Sequence, residues 1–184
     1  DEQALFTGDL LSTGYWAAKI GEIKKRDTVL VLGAGPAGMC AMMCAALYSP
    51  ARIVAADIDE SRLAFARRHG LADDFLNPAN VSVPDALRER TQGRGADVVI
   101  EAAGGKDSFQ LAWQAARPNA VVVVAAMYEE NQILPLPEMY GKNLIFKTGG
   151  VDACSCREIL ELTAQGRLKG ECLITHRAPL ADAM

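Results

Sequence analysis

The sequence predicts an α/β fold of the doubly wound Rossmann type, a parallel six-stranded sheet with helices on both faces. Short apolar runs alternate with helical stretches almost from end to end of the 184 residues, and this alternation favours a parallel sheet covered by helices. The first apolar run leads through a glycine-rich turn into a helix. The hydrophobic fraction is 50%, which is enough for the core of one domain.

The first half of the chain predicts three strands, each followed by a helix. Val29–Leu32 reads VLVL, a continuous apolar run of the kind found in strands buried on both faces. Asp59 is suited to cap a helix whose last turn carries basic residues. The predicted elements are the strands Val29–Leu32, Arg52–Ala56 and Asp74–Leu76, and the helices Pro36–Tyr48, Asp59–Gly70 and Pro84–Gln92.

The second half continues the same alternation with one irregular interruption. The predicted strands are Asp97–Glu101, Ala120–Ala125 and Leu144–Lys147, with a further short strand over Cys172–Thr175, and the predicted helices are Ser108–Ala116 and Cys156–Gln165. The stretch Met127–Asn143 contains Pro135 and Pro137. Because proline cannot donate a backbone hydrogen bond, this stretch is predicted to be an edge strand or a loop.

The turn after the first strand carries the pattern G-x-G-x-x-G between a strand and a helix. In this pattern Gly33 permits the tight turn, Gly35 lets the backbone approach a pyrophosphate, and Gly38 allows close packing of helix on strand. The free N–H groups at the start of the helix attract phosphate. The candidate phosphate-binding residues are Gly33, Gly35, Pro36, Ala37 and Gly38.

An acidic residue ends the second strand and indicates the kind of dinucleotide. Asp57 lies nineteen positions after Gly38, where a carboxylate accepts hydrogen bonds from adenosine ribose hydroxyls and repels a 2′-phosphate. The cofactor is therefore predicted to be NAD, with Ile58 and Arg62 beside it. Arg62 could instead contact a phosphate, and Asp57 could be a helix-capping or solvated acid.

Small residues follow three later strands and extend the predicted site. Ligands of doubly wound sheets bind at the carboxyl ends of the strands, and small side chains there leave room for a flat ring system. An alternative is that these residues only help the loops to turn. The positions are Ala102, Ala103, Ala125, Ala126, Met127, Gly149 and Gly150.

Charge and cysteine content limit the classes of partner. The net charge is −4 without a basic block, which argues against nucleic acid, and no apolar run reaches the length of a membrane span. The five cysteines are odd in number, which suits a reducing compartment; the predicted location is cytoplasmic. Cys154 and Cys156 alone are too few for a zinc site.

Five segments together resemble the medium-chain, zinc-type alcohol dehydrogenases. They are GDLLSTGY at residues 8–15, GAGPAG at 33–38, ADID at 56–59, EAAG at 101–104 and LITH at 173–176. The resemblance implies hydride transfer between NAD and an alcohol, polyol or aldehyde, with zinc in the full-length parent. It also implies a homodimer or homotetramer, assembled by pairing of the edge near Gln132–Pro137 with its two-fold mate; the alternative is a monomer whose edge is protected by the prolines.

The resemblance assigns two residues before the first strand. Thr13 matches a residue that packs against the nicotinamide, and Asp9 matches the third protein ligand of the catalytic zinc. A helix N-cap is the alternative for Asp9. The implied division is residues 1–25 as a linking segment and helix, 26–176 as the NAD-binding domain, and 177–184 as the start of the return to an absent catalytic domain.

Two other functions remain open from the sequence. One is a regulatory NAD-sensing module, against which the linker-like segment at residues 8–18 argues. The other is an S-adenosylmethionine-dependent methyltransferase, which shares a glycine-rich first turn but usually has a reversed edge strand. His69 and His176 are poorly placed to act as a catalytic base.

Overall fold

The computed structural model describes residues 2–151, 154–179 and 181. Its strands are β1 (Thr28–Leu32), β2 (Arg52–Ala56), β3 (Asp74–Leu76), β4 (Ala96–Glu101), β5 (Ala116–Val124) and β6 (Ile145–Thr148). They form one sheet in the order β3-β2-β1-β4-β5-β6, and all neighbouring pairs are parallel. The predicted six-stranded parallel sheet is confirmed. The parallel direction of β6 removes the reversed edge strand that a methyltransferase fold would have.

Helices cover both faces of this sheet. They are α1 (Leu10–Ile20), α2 (Pro36–Ala46), α3 (Glu60–Arg68), α4 (Val83–Arg90), α5 (Ser108–Ala115), α6 (Leu136–Met139) and α7 (Cys156–Ala164), with 3₁₀ turns at Glu2–Ala4 and Gly170–Leu173. Most predicted elements overlap the observed ones, and β5 begins earlier than expected. No helix within the described ranges is long and apolar enough to cross a membrane.

The alternation of side chains along each strand creates two cores. In β1, Val29 and Val31 point into the core beneath α1 and α2, whereas Leu30 and Leu32 point into the core that contains α4 and α5 residues. All five residues of β1 are buried. The VLVL run was therefore interpreted correctly as a central strand.

A glycine allows α1 and α2 to pack with their backbones in contact. A Cβ atom on Gly14 would lie 2.5 Å from the carbonyl carbon of Cys40 and 2.7 Å from the nitrogen of Ala41. The other end of α1 is bound to the edge strand β6, since Lys147 donates to the carbonyl of Ile20 at 2.8 Å and pairs with Glu22. These contacts fix α1 against the sheet.

The prediction of a short strand over Cys172–Thr175 is wrong. The Gly170–Leu173 segment forms a 3₁₀ turn, and Ile174 and Thr175 belong to no strand. The apolar pattern of this segment is used for packing on α1 instead, where a Cβ on Gly170 would lie 2.9 Å from Leu11 Cδ1. An extended segment becomes a strand only where a sheet edge offers backbone partners.

The irregular stretch before β6 is a loop followed by the short helix α6. Pro135 precedes that helix and Pro137 lies within its first turn, where a missing N–H is tolerated. The edge of the sheet on this side is β6. Of the predicted return segment 177–184, positions 180 and 182–184 lie outside the described residues.

Candidate functional site

The glycine turn after β1 is close-packed on one side and open on the other. Gly33 has a φ of 95°, and a Cβ on Gly38 would lie 1.9 Å from the carbonyl oxygen of Gly33. A Cβ on Gly35 would meet only the guanidinium of Arg62, at 3.9 Å. The turn therefore leaves space above Gly35, directly at the N-terminus of α2, where an anion is stabilised by free N–H groups.

Asp57 connects the end of β2 to this turn. Its side chain is 6% exposed and accepts hydrogen bonds from the backbone nitrogen of Ala34 at 2.6 Å and of Asp59 at 2.8 Å. The cap of α3 is Asp59, whose carboxylate accepts from the backbone of Ser61 and Arg62. The helix-cap alternative for Asp57 is therefore wrong. Each carboxylate oxygen of Asp57 retains a lone pair for a ligand hydroxyl.

The guanidinium of Arg62 lies across the open side of the turn. Its Nη1 atom is 3.8 Å from Asp57 Oδ2 and its Nε atom is 3.7 Å from Asp59 Oδ2. The Arg62 side chain is 55% exposed. This cation stands beside the buried carboxylate of Asp57, within reach of any phosphate bound there.

A cavity of about 720 Å³ opens at the carboxyl ends of the strands, within the size range of small-molecule sites. Among the residues predicted from the sequence, it is lined by Gly33, Gly35, Asp57, Ile58, Arg62, Ala102 and Ala103. The structure adds residues from the loop after β3, the loop after β4 and α5, namely Pro78, Ala79, Gly105, Lys106, Asp107, Ser108, Gln110, Leu111 and Gln114. Leu32 and Ala56 complete the lining.

The other predicted residues lie outside this cavity. Pro36 is exposed at the start of α2, which also contains Ala37 and Gly38. Trp16 touches the end of β6, because a Cβ on Gly149 would lie 3.4 Å from its ring. Thr13 precedes Trp16 by three residues on α1 and so shares its helix face. The remaining predicted positions outside the cavity are Ala125, Ala126, Met127 and Gly150.

Asp9 immediately precedes α1, yet its side chain makes no capping hydrogen bond. Asp9 thus occupies the N-cap position without capping through its side chain, and its exposed carboxylate is available as a ligand. Within the part of the chain that the structure describes, no group of three or more His, Cys, Asp or Glu residues could hold a metal ion. Asp9 fits a zinc site only as one ligand among several.

The buried acid Glu101 ends β4 and was not selected from the sequence as a site residue. Its side chain is fully buried, and Oε1 accepts from the backbone nitrogens of Ala103 at 2.9 Å and Gly104 at 3.0 Å. Its carbonyl oxygen accepts from Ala125 at 2.8 Å and Ala126 at 3.1 Å. Glu101 therefore connects the loops after β4 and β5. The sequence feature that could have identified Glu101 is an acidic residue at the end of an otherwise apolar strand.

The two histidines lie elsewhere, as expected. The ring of His69 stacks on Phe65 with 4.4 Å between ring centroids, and Nδ1 of His176 lies 2.9 Å from Thr175 Oγ1. Neither histidine lines the cavity.

Comparison with known proteins places these features in one family. Residues 36–162 match the family model described as zinc-binding dehydrogenase. An alcohol dehydrogenase of Cupriavidus necator is 32% identical over 99% of this chain and 50% of its own length. The NADP-dependent isopropanol dehydrogenase of Thermoanaerobacter brockii is 28% identical over 95% of this chain and 51% of its own length. The solved alcohol dehydrogenase of Thermus sp. ATN1 superposes with a TM-score of 0.89 at 33% identity, over 99% of this chain and 53% of that protein.

Proposed function

Because the chain belongs to the zinc-binding dehydrogenase family, we propose that it is the NAD-binding domain of a zinc-dependent alcohol dehydrogenase. The full-length protein transfers hydride between NAD and an alcohol, polyol or aldehyde. The chain spans about half the length of the curated relatives that it matches. The observation that carries the proposal is the cavity above the glycine turn, with the buried carboxylate of Asp57 at its wall. Family membership favours an enzyme over a free NAD-sensing module.

In this proposal the chain binds and orients the cofactor. The N-terminus of α2 receives the pyrophosphate above Gly35, and Asp57 accepts hydrogen bonds from the adenosine ribose. Ile58 is 74% exposed and lines the cavity together with Ala103, so the two offer apolar surface to the adenine. Thr13 packs against the nicotinamide from α1. Zinc, when bound, polarises the alcohol oxygen, and Asp9 would be one of its ligands.

The cofactor is proposed to be NAD rather than NADP. In the unmodified protein the Asp57 carboxylate repels a 2′-phosphate, and like charges in contact cost several kcal/mol. We expect Asp57→Gly to lower the NAD-over-NADP preference by about tenfold or more, because Arg62 then faces the 2′-phosphate without an opposing carboxylate. Absolute affinity for NAD should also fall, since Ala34 and Asp59 lose their acceptors.

Calorimetric titration with NAD and NADP measures this preference. The matched control is Asp59→Asn, which removes the neighbouring charge 3.7 Å from Arg62 while an amide oxygen remains to cap α3. That variant should keep the preference for NAD. Tighter binding of NADP than NAD by the unmodified protein would show that the cofactor assignment is wrong.

We also propose that the protein assembles as a homodimer or homotetramer through the loop before α6. Ile133 is 80% exposed and Leu134 is 49% exposed, in the loop that leads through α6 to the edge strand β6. An apolar surface next to an open strand edge is a liability that symmetric pairing removes. The segment after α6 is held to α5 and β5, because Lys142 donates to the carbonyl oxygens of Trp113, Gln114 and Ala116.

Sedimentation of the full-length protein at micromolar concentration tests this surface. Leu134→Lys should convert the oligomer to smaller species, because a charge would be buried at the contact. Leu160→Lys is the matched control: Leu160 is 45% exposed on α7, which packs against α1, and this substitution should leave assembly unchanged. A monomeric unmodified protein, or an oligomer that tolerates Leu134→Lys, would exclude the interface.

A cytoplasmic location is proposed from the thiols. Cys40 and Cys44 are buried reduced cysteines in α2, and burial raises the pKa of Cys40 to about 12. Such thiols pack as small apolar groups and are compatible with a reducing compartment.

A further inference from the structure

We propose that Tyr128 positions the loops of the cofactor site by moving its hydroxyl hydrogen bond from Ser108 to Glu101 when the cavity is occupied. The inference rests on the proposed function, since it concerns the same cofactor site. Tyr128 is a positioning residue here; it acts through the loop after β5 and through the start of α5.

The loops after β4 and β5 meet above Glu101. Gly104 has a φ of 63°, and a Cβ there would lie 2.9 Å from the carbonyl oxygen of Met127. Glu101 holds the first loop through its side chain and the second through its carbonyl oxygen. A shift of Tyr128, the residue after Met127, therefore moves backbone that is in contact with the cavity wall.

The hydrogen-bond arrangement at this site leaves an oxygen of the buried Glu101 carboxylate without a donor. Ser108 Oγ donates its single proton to the carbonyl of Gly105 at 2.8 Å. The 2.9 Å contact between Ser108 and Tyr128 therefore uses the proton of Tyr128. Glu101 Oε2 is buried and has no hydrogen-bond partner. A buried acceptor without a partner carries a free-energy cost that a neighbouring donor can remove.

Tyr128 is the neighbouring donor. Burial raises the pKa of Tyr128, the hydrogen bond with Ser108 lowers it by less, and the adjacent carboxylate of Glu101 raises it again. The phenol therefore keeps its proton between two oxygen acceptors. Ser108 lines the cavity, and a ligand hydroxyl or amino group that donates to the Ser108 hydroxyl competes with Tyr128. Occupation of the cavity thus favours the hydrogen bond from Tyr128 to Glu101, which draws the loop after β5 towards the sheet.

Calorimetric titration of the full-length protein with NADH tests this coupling. We expect Tyr128→Phe to raise the Kd about threefold to tenfold, the range for loss of one hydrogen bond. Glu101→Gln should have a similar effect, because its amide oxygen can still accept from Ala103 and Gly104 but its NH₂ group cannot accept from Tyr128. The control is Tyr140→Phe, at a tyrosine that is 94% exposed, with an unchanged Kd.

The double variant separates the proposed hydrogen bond from two independent structural effects. If Tyr128 and Glu101 act through one bond, the double variant should bind NADH about as well as either single variant. Additive losses, or single variants with the Kd of the unmodified protein, would overturn the inference and leave the proposed function intact. An unmodified protein that fails to bind NADH would overturn both.

Discussion

Replacing Gly38 with alanine should abolish cofactor binding and destabilise the domain. The new Cβ atom would lie 1.9 Å from the carbonyl oxygen of Gly33 and 2.8 Å from its carbonyl carbon, so α2 or the turn must move. Both groups are backbone and cannot rotate away. Overpacking typically costs about 1–3 kcal/mol, and we expect the upper end of this range. Urea unfolding followed by circular dichroism gives the stability, and titration with NADH gives the binding.

Gly35→Ala is the matched control, because it adds the same methyl group three residues earlier. Its Cβ would meet only the flexible end of Arg62, at 3.9 Å, so the free energy of unfolding should stay close to that of the unmodified protein. The methyl group would occupy the space proposed for the pyrophosphate, and NADH binding should weaken all the same. Normal stability and normal NADH binding in Gly38→Ala would contradict the close packing of the turn.

Replacing Asp9 with alanine should remove the catalytic zinc from the full-length protein. We expect turnover to fall by about a thousandfold, because loss of the Lewis acid removes several kcal/mol of transition-state stabilisation. The free energy of unfolding of the NAD-binding domain should stay unchanged, since the Asp9 side chain makes no capping hydrogen bond to α1. Zinc content by atomic absorption and turnover with an alcohol panel are the two measurements.

Asp9→Cys provides the rescue for this experiment. A cysteine thiolate binds zinc at a tetrahedral site as well as a carboxylate does, so this variant should retain metal and part of the turnover. Stoichiometric zinc and full turnover in Asp9→Ala would show that Asp9 is not a ligand.

The fold was predictable because the strands of a parallel sheet have a recognisable amino-acid pattern. Strands buried on both faces read as continuous apolar runs, as Val29–Leu32 does, and the glycine turn has fixed spacing. The Cys172–Thr175 segment has a similar apolar pattern but no adjacent sheet edge. A strand was predicted there wrongly, because the apolar pattern of a segment does not show whether a neighbouring strand is available to pair with its backbone.

The proposed cofactor cavity was predictable only in part. The glycines and Asp57 follow from a known geometric pattern, and Gly33, Gly35 and Asp57 lie at the cavity wall. Pro78 and Lys106 come from loops whose position depends on strand order, which the sequence does not state. The role of Glu101 depends on the inward direction of one side chain and on the backbone groups around it. Such details arise only in the folded chain.

The contact at Gly14 has a consequence for the dimensions of the active site. Since α1 and α2 touch through their backbones, neither helix has room to shift towards the other, and we expect Asp9 at the start of α1 to keep a fixed separation from the turn at the start of α2. If a metal binds at the start of α1 and a dinucleotide at the start of α2, the packing of the two helices determines the distance between the two ligands. Motion of any neighbouring lobe would then change access to the reacting groups and leave the distance between these two anchors unaltered.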